Sequence, residues 1–183
     1  MTFVTADLEL RLSGGATNRN PNGALGGIIS ATQIVEGHGV FQNLFRDLTV
    51  AELTDGPPPL KYLYRCYYLY NTNTTESSAT TKVWILTDTP SAQTDVALGL
   101  DPAGVGDGVS TGVAFGPIAN EATAPTGPVF TYPVNFAGGL LIGTLAPGEG
   151  HAIWARHKRI VSGPGVTAAT SDPFTLAHQG TVP

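Results

Sequence analysis

The order of apolar and polar positions divides this chain into short strands. Residues 7 to 12, Asp-Leu-Glu-Leu-Arg-Leu, alternate strictly, with Leu8, Leu10 and Leu12 on one side and Asp7, Glu9 and Arg11 on the other. That is the period of a half-buried strand. Ile28 to Ile34 suggests a second strand. The strongest signal runs from Lys61 to Ile85. Its two β-rich runs, Lys61 to Tyr70 and Lys82 to Ile85, flank a polar link, which is the pattern of a strand, a loop and a partner strand. Side chains alternate across a strand, so Tyr62, Tyr64, Cys66, Tyr68 and Tyr70 share one face and Leu63, Arg65, Tyr67 and Leu69 the other. Neither face is purely polar, so this strand is expected to be central and covered on both sides. Thr94 to Leu100 alternates again. Leu140 to Arg156 reads as a strand, a Pro147-Gly148 turn and a second strand. In that second strand Trp154 sits with Ala152 and Arg156, opposite Ile153 and Ala155. Phe174-Thr-Leu offers one more short strand.

The segments between these runs carry turn chemistry. Residues 13 to 27 are rich in Gly and Asn and read as an extended loop or assembly arm, in which Gly26-Gly27 would let the backbone approach another chain closely. Val40 to Leu53 is the one stretch with helical character. Thr49-Val-Ala-Glu52 fits a capping box, and Pro57-Pro58-Pro59 follows as a stiff spacer. Asp101 to Gly112 reads as a flexible loop. Ala122 to Pro133 carries Pro125, Pro128 and Pro133 and reads as an irregular edge, where prolines belong. The resulting expectation is a single all-β domain, a β-sandwich. Residues 1–60 would form a strand, a glycine-rich arm and a short helix, 61–163 the sandwich core and 164–183 a tail.

Composition sharpens this picture. The chain has 23 Gly and 14 Pro among 183 residues, and its 13% of charged residues is about half the usual share. Sparse charge is expected where much surface is buried against neighbours. The formal net charge of −5 gives no basic footprint for nucleic acid. The single cysteine, Cys66, lies in an apolar run and is expected to be a buried, inert thiol. The first residues lack the basic and apolar segments of a secretory signal, and no apolar run approaches a membrane span, so a protein made in the cytoplasm is expected.

Catalytic patterns do not emerge. No Gly-x-Ser-x-Gly elbow, Walker pattern or spaced Gly-x-Gly-x-x-Gly is present. His38, His151, His157 and His178 form no i, i+2 or i, i+4 pair with a carboxylate companion. Asp101 and Asp107 lie in a loop that lacks the spacing of a calcium hand. No enzymatic activity, metal or cofactor is expected. Two groups offer binding. The tyrosines Tyr62, Tyr64, Tyr68 and Tyr70 suit an interface, although the same pattern suits a core with hydroxyls at its rim. Arg156-His157-Lys158-Arg159 is a basic run in an acidic protein; it would meet an acidic partner through Arg156, Lys158 and Arg159, or form a solvated strand end.

Four patches resemble structural proteins of tailed bacteriophages. They are Leu12-Ser-Gly-Gly-Ala-Thr-Asn with Asn20-Pro-Asn and Leu25-Gly-Gly; Asn43-Leu-Phe-Arg-Asp with Thr49-Val-Ala-Glu; Tyr64-Arg-Cys-Tyr-Tyr-Leu-Tyr-Asn-Thr with Lys82-Val-Trp-Ile and Thr89-Pro-Ser; and Leu145-Ala-Pro-Gly-Glu with Ile153-Trp-Ala-Arg. The last is also similar to immunoglobulin-like sandwiches, though the Cys…Trp…Cys spacing of antibody domains is missing. The resemblance implies an immunoglobulin-like β-sandwich and a virion component without enzymatic activity. The leading role is a head decoration or cement protein that binds the major capsid protein. The second is a neck, tail or tail-fibre attachment component, and either implies a homo-oligomer set by virion symmetry. From another class comes a carbohydrate-binding or host-adhesion module, which an open tyrosine face would favour.

Overall fold

The computed structural model describes residues 7–34, 60–88, 94–160 and 174–181. They form eight strands: β1 (Leu8–Ser13), β2 (Ile29–Gln33), β3 (Leu60–Asn71), β4 (Ser78–Asp88), β5 (Thr94–Gly106), β6 (Leu140–Leu145), β7 (Gly150–Ile160) and β8 (Phe174–Thr181). A five-stranded antiparallel sheet in the order β2-β1-β3-β7-β5 packs on a three-stranded one in the order β6-β4-β8. The protein is an all-β sandwich. The helix expected within 40–53, its capping box and the proline spacer lie outside the described residues.

β3 is the centre of the large sheet. β7 runs its whole length, from Leu60↔Ile160 to Tyr70↔Gly150, whereas β1 covers only Tyr67 to Asn71 on the other edge. Two loop carbonyls complete that edge. Glu121 O accepts from Tyr64 N and Ala24 O from Cys66 N, both at 2.8 Å. β3 and β4 are not partners, contrary to the sequence expectation of a paired strand. Both edges of β3 are taken, and apart from Arg65 its inward face carries Leu63, Tyr67 and Leu69, so the next strand covers that face from the opposite sheet. From β3 to β8 successive strands then alternate between the two sheets. The likeness to immunoglobulin domains is therefore one of layered architecture, since those domains also pair consecutive strands within a sheet.

The pleat sorts the apolar residues as the alternation requires. Leu8, Leu10 and Leu12 of β1, Leu63, Tyr67 and Leu69 of β3, and Ile153 and Ala155 of β7 meet Val83, Ile85, Ile142, Leu145, Phe174 and Leu176 from the small sheet. Each such aliphatic side chain contributes about 1.5–3 kcal/mol by leaving water. Phe174 and Leu176 lie in β8, which pairs with β4 from Ala79↔Thr181 to Asp88↔Phe174. Residues 174–181 thus belong to the sandwich rather than to a tail.

The outward face of the large sheet is covered by loops. Tyr64, Cys66, Tyr68, Ala152 and Trp154 form a second core with Ile29, Ala114 and Ile118. The glycine-rich segment expected as an arm folds back over this face. Gly14 and Gly15 N–H groups both reach Ile28 O, and a single 3-10 turn, Pro21–Gly23, brings Ala24 to the β3 edge. Residues 101–106, expected as loop, continue β5 past an irregularity in its register between Leu100 and Val105.

Candidate interaction surface

Residues 131–139 expose three large apolar side chains, Tyr132, Val134 and Phe136. Prolines and glycines prevent a regular ladder here, but the chain is anchored at several points. Thr131 exchanges two backbone hydrogen bonds with Leu98 on β5, each 2.8 Å, and Pro133 O accepts from Ile85 N on β4 at 2.7 Å. Within three residues the chain passes from β5, an edge strand of the large sheet, to β4 in the small sheet. It then runs antiparallel along β4 until β6 begins at Leu140, opposite Val83.

This seam displays Tyr132, Val134 and Phe136 at alternate positions. Tyr132 Oη donates to Asp88 Oδ2 at 2.7 Å. Phe136 stands edge-on to Trp84, with ring centroids 5.7 Å apart at 83°. Lys82 Nζ lies 4.9 Å from the Phe136 ring centroid and donates to the carbonyls of Phe136 and Ala137, both at 3.2 Å. On β4, Val83 and Ile85 point inward, so Lys82, Trp84 and Leu86 point outward. Leu141 sits opposite Lys82 on β6. Exposure is 51% for Val134, 54% for Leu86 and 57% for Leu141. Exposed apolar side chains grouped in this way mark interaction sites in soluble proteins. Its ring contacts and hydrogen bonds hold it in place before any partner arrives.

The proposed site residues fall elsewhere. Tyr64 and Tyr68 are buried, and Tyr62 and Tyr70 are half-buried against the same cover. Tyr68 Oη donates to Gly27 O at 2.7 Å and accepts from Ala114 N at 2.8 Å, tying two loops together. Burial pushes its pKa far up. Arg11 lies 4.4 Å over the Tyr70 ring and pairs with Glu9 at 2.9 Å. The tyrosines thus present no open aromatic platform. Gly26 allows a close approach within this chain, whereas a Cβ on Gly27 would meet only Pro117 Cδ, at 4.0 Å. A Cβ on Gly26 would stand 2.9 Å from Phe115 O and 3.1 Å from the Trp154 ring.

The basic run is split by the pleat. His157 is buried, Lys158 is half-buried opposite Asp95, and the side chain of Arg159 lies outside the described residues. Arg156 joins the tyrosine group instead. Its guanidinium carbon lies 4.9 Å from the ring centroids of both Tyr62 and Phe130, and Phe130 in turn packs on Tyr64 at 5.6 Å. Burial raises the Tyr64 pKa, against the pull of the Arg156 charge. Phe130, Trp84, Phe136 and Leu141 had not stood out in the sequence. The alternation of Lys82 to Leu86 carried part of that signal.

Two buried polar clusters have structural roles. Arg65 pairs with Glu121, both buried, and its Nη2 donates to Asn22 Oδ1 at 3.2 Å. Asp101 accepts from Trp154 Nε1, Phe115 N and Ala103 N, while His151 Nε2 meets its carbonyl at 2.9 Å. Burial drives the Cys66 thiol well above its ordinary pKa, and the Asp101 charge adds to this, so the thiol is unreactive. Asp107 accepts from the Val109, Ser110 and Thr111 N–H groups, which lower its pKa to about 2. Among the described residues no three His, Cys, Asp or Glu side chains converge as a metal site, and no helix is long and apolar enough to cross a membrane. No family model, curated protein or solved structure matches the chain.

Proposed function

We propose that this chain is a structural component of a tailed-bacteriophage virion, without enzymatic activity, that docks on the major capsid protein as a head decoration or cement protein. The observation that carries this reading is the apolar seam from Tyr132 to Leu141, anchored on one strand of each sheet and exposed to solvent. It supports a docking role because a rigid apolar patch on a low-charge surface loses little order when it is covered. The four sequence patches supply the virion context. Service at the neck, tail or tail-fibre attachment remains the second reading, because the same seam would serve a cyclic ring. The adhesion reading is weaker, since Tyr64 and Tyr68 are core and Tyr70 is capped by Arg11.

Quantitative mass spectrometry of purified virions, with the coat protein as internal standard, tests this reading. A copy number on the order of hundreds, matching the coat lattice, supports decoration. A count of about six, twelve or a small multiple moves the protein to the neck or tail. Its absence from the particle sinks the virion reading. Leu141→Lys in the same virus should lower the count while the isolated protein keeps its fold, and an unchanged count would remove the seam from the contact.

A further inference from the structure

We propose that Arg156, set over Tyr62 and Phe130, is a receptor for a carboxylate. Arg156 stands at the outward face of β7, opposite Tyr64 on one side and Ala97 on the other. Among the described residues no hydrogen bond or ion pair reaches its guanidinium, and its Nε is buried without an acceptor. An arginine carries five N–H donors in a fixed fork and has no neutral form in a protein. A buried donor without a partner is uncommon and calls for an explanation. Here the side chain is held by two ring faces, each 4.9 Å from the guanidinium carbon.

That arrangement suits an anion for three reasons. The rings fix the guanidinium plane, so little freedom is lost when a ligand arrives. They also remove water from its faces, which strengthens the attraction that remains. Asp95 and Lys158, the charged residues next along β5 and β7, are cross-strand partners of opposite sign, and among the described residues no salt bridge joins either of them to Arg156. A carboxylate fits better than a phosphodiester. The fork matches two coplanar oxygens, and a protein of net charge −5 repels a polyanionic strand. This inference is independent of the virion reading, because a carboxylate comes equally from an acidic side chain of a partner protein or from a small free acid.

The test is a titration of the full-length protein followed by NMR, with acetate, a hexaglutamate peptide and inorganic phosphate as probes at constant ionic strength. The Arg156 Nε–H signal and the ring signals of Tyr62 and Phe130 should shift saturably with acetate and hexaglutamate, and less with phosphate. Arg156→Gln should abolish the ring shifts. Arg156→Lys, which keeps the charge but loses the fork, should weaken binding about tenfold. Hexaglutamate binding at least about tenfold tighter than acetate assigns the site to a protein partner, through contacts beyond the fork; equal affinity per carboxylate assigns it to a small acid. The inference fails if neither carboxylate gives a saturable shift, if phosphate binds more tightly than both, or if Arg156→Lys binds as well as the parent. Should Arg156→Gln not fold, Arg156→Lys and Phe130→Leu decide the matter, since each keeps a cation and each should weaken binding.

Discussion

The indole Nε1 of Trp154 donates to the carboxylate of Asp101 at 2.7 Å, and both residues are buried. The same carboxylate accepts the backbone N–H groups of Ala103 and Phe115, so one side chain joins β7, the irregular part of β5 and the covering loop. Removing it would leave buried donors without acceptors, at about 1–3 kcal/mol each. Asp101→Ala should therefore lower the unfolding free energy by about 3 kcal/mol or more, and Asp101→Asn, which keeps acceptor capacity, by clearly less. Urea denaturation followed by Trp fluorescence measures both. Equal losses would mean that charge, rather than the acceptor set, is what matters at this position.

Tyr67 offers the opposite case. Its side chain lies in the sandwich interior with no exposed surface, and its hydroxyl has no hydrogen-bond partner among the described residues. Burial holds its pKa well above the ordinary value. A buried hydroxyl with no partner costs stability, so Tyr67→Phe should leave stability unchanged or raise it by about 1 kcal/mol. A fall of that size in chemical denaturation would show that the hydroxyl is satisfied after all.

His151 makes the fold sensitive to acid. Burial lowers its pKa below the ordinary value, against the opposing effect of the Asp101 carbonyl and charge. In the unfolded chain the imidazole takes up a proton near pH 6.5; in the folded protein it does so only at lower pH. The unfolded state thus binds more protons in that interval, and the contribution of His151 is whole above about pH 6.5 and is lost as pH falls below it. The melting temperature should fall more steeply between pH 7 and pH 5 in the parent than in His151→Gln. Parallel curves would assign the acid sensitivity to other groups.

What was legible in the sequence was what period two alone decides. Leu8, Leu10 and Leu12 face the interior, and the two faces of β3 separate as the alternation requires. What β3 meets depends on contacts far along the chain, which no local pattern encodes. β4 crosses to the other sheet, and the tyrosine face is covered by loops from residues 24–29 and 114–121. Asp101 reads as the start of a flexible loop to Gly112, yet its role is set by Trp154, 53 residues away. Phe130 was hidden in a proline-rich stretch, although it supplies one of the two rings beside Arg156. The basic run reads as a contact through Arg156, Lys158 and Arg159 or as a solvated strand end; in the fold the pleat buries His157 and Arg156 stands over the rings of Tyr62 and Phe130.

Gly26 separates local backbone chemistry from assembly. Its φ of +97° lies in a region that side chains disfavour, and a Cβ there would meet Phe115 O at 2.9 Å and Trp154 ring carbons at 3.1 Å. Its N–H donates to Ser13 Oγ, which itself donates to Cys66 O, so the loop is pinned to β3 and cannot shift to relieve the contact. Backbone strain of about 1–2 kcal/mol and overpacking of about 1–3 kcal/mol should act together. Gly26→Val is therefore expected to destabilise the isolated protein by about 2–5 kcal/mol and to raise the exposure of Trp154. Urea denaturation and fluorescence quenching of the purified variant check this without any partner present. If the isolated variant kept parental stability and Trp154 stayed protected, the glycine would not be needed for packing, and the close approach of another chain would again be the reason for it.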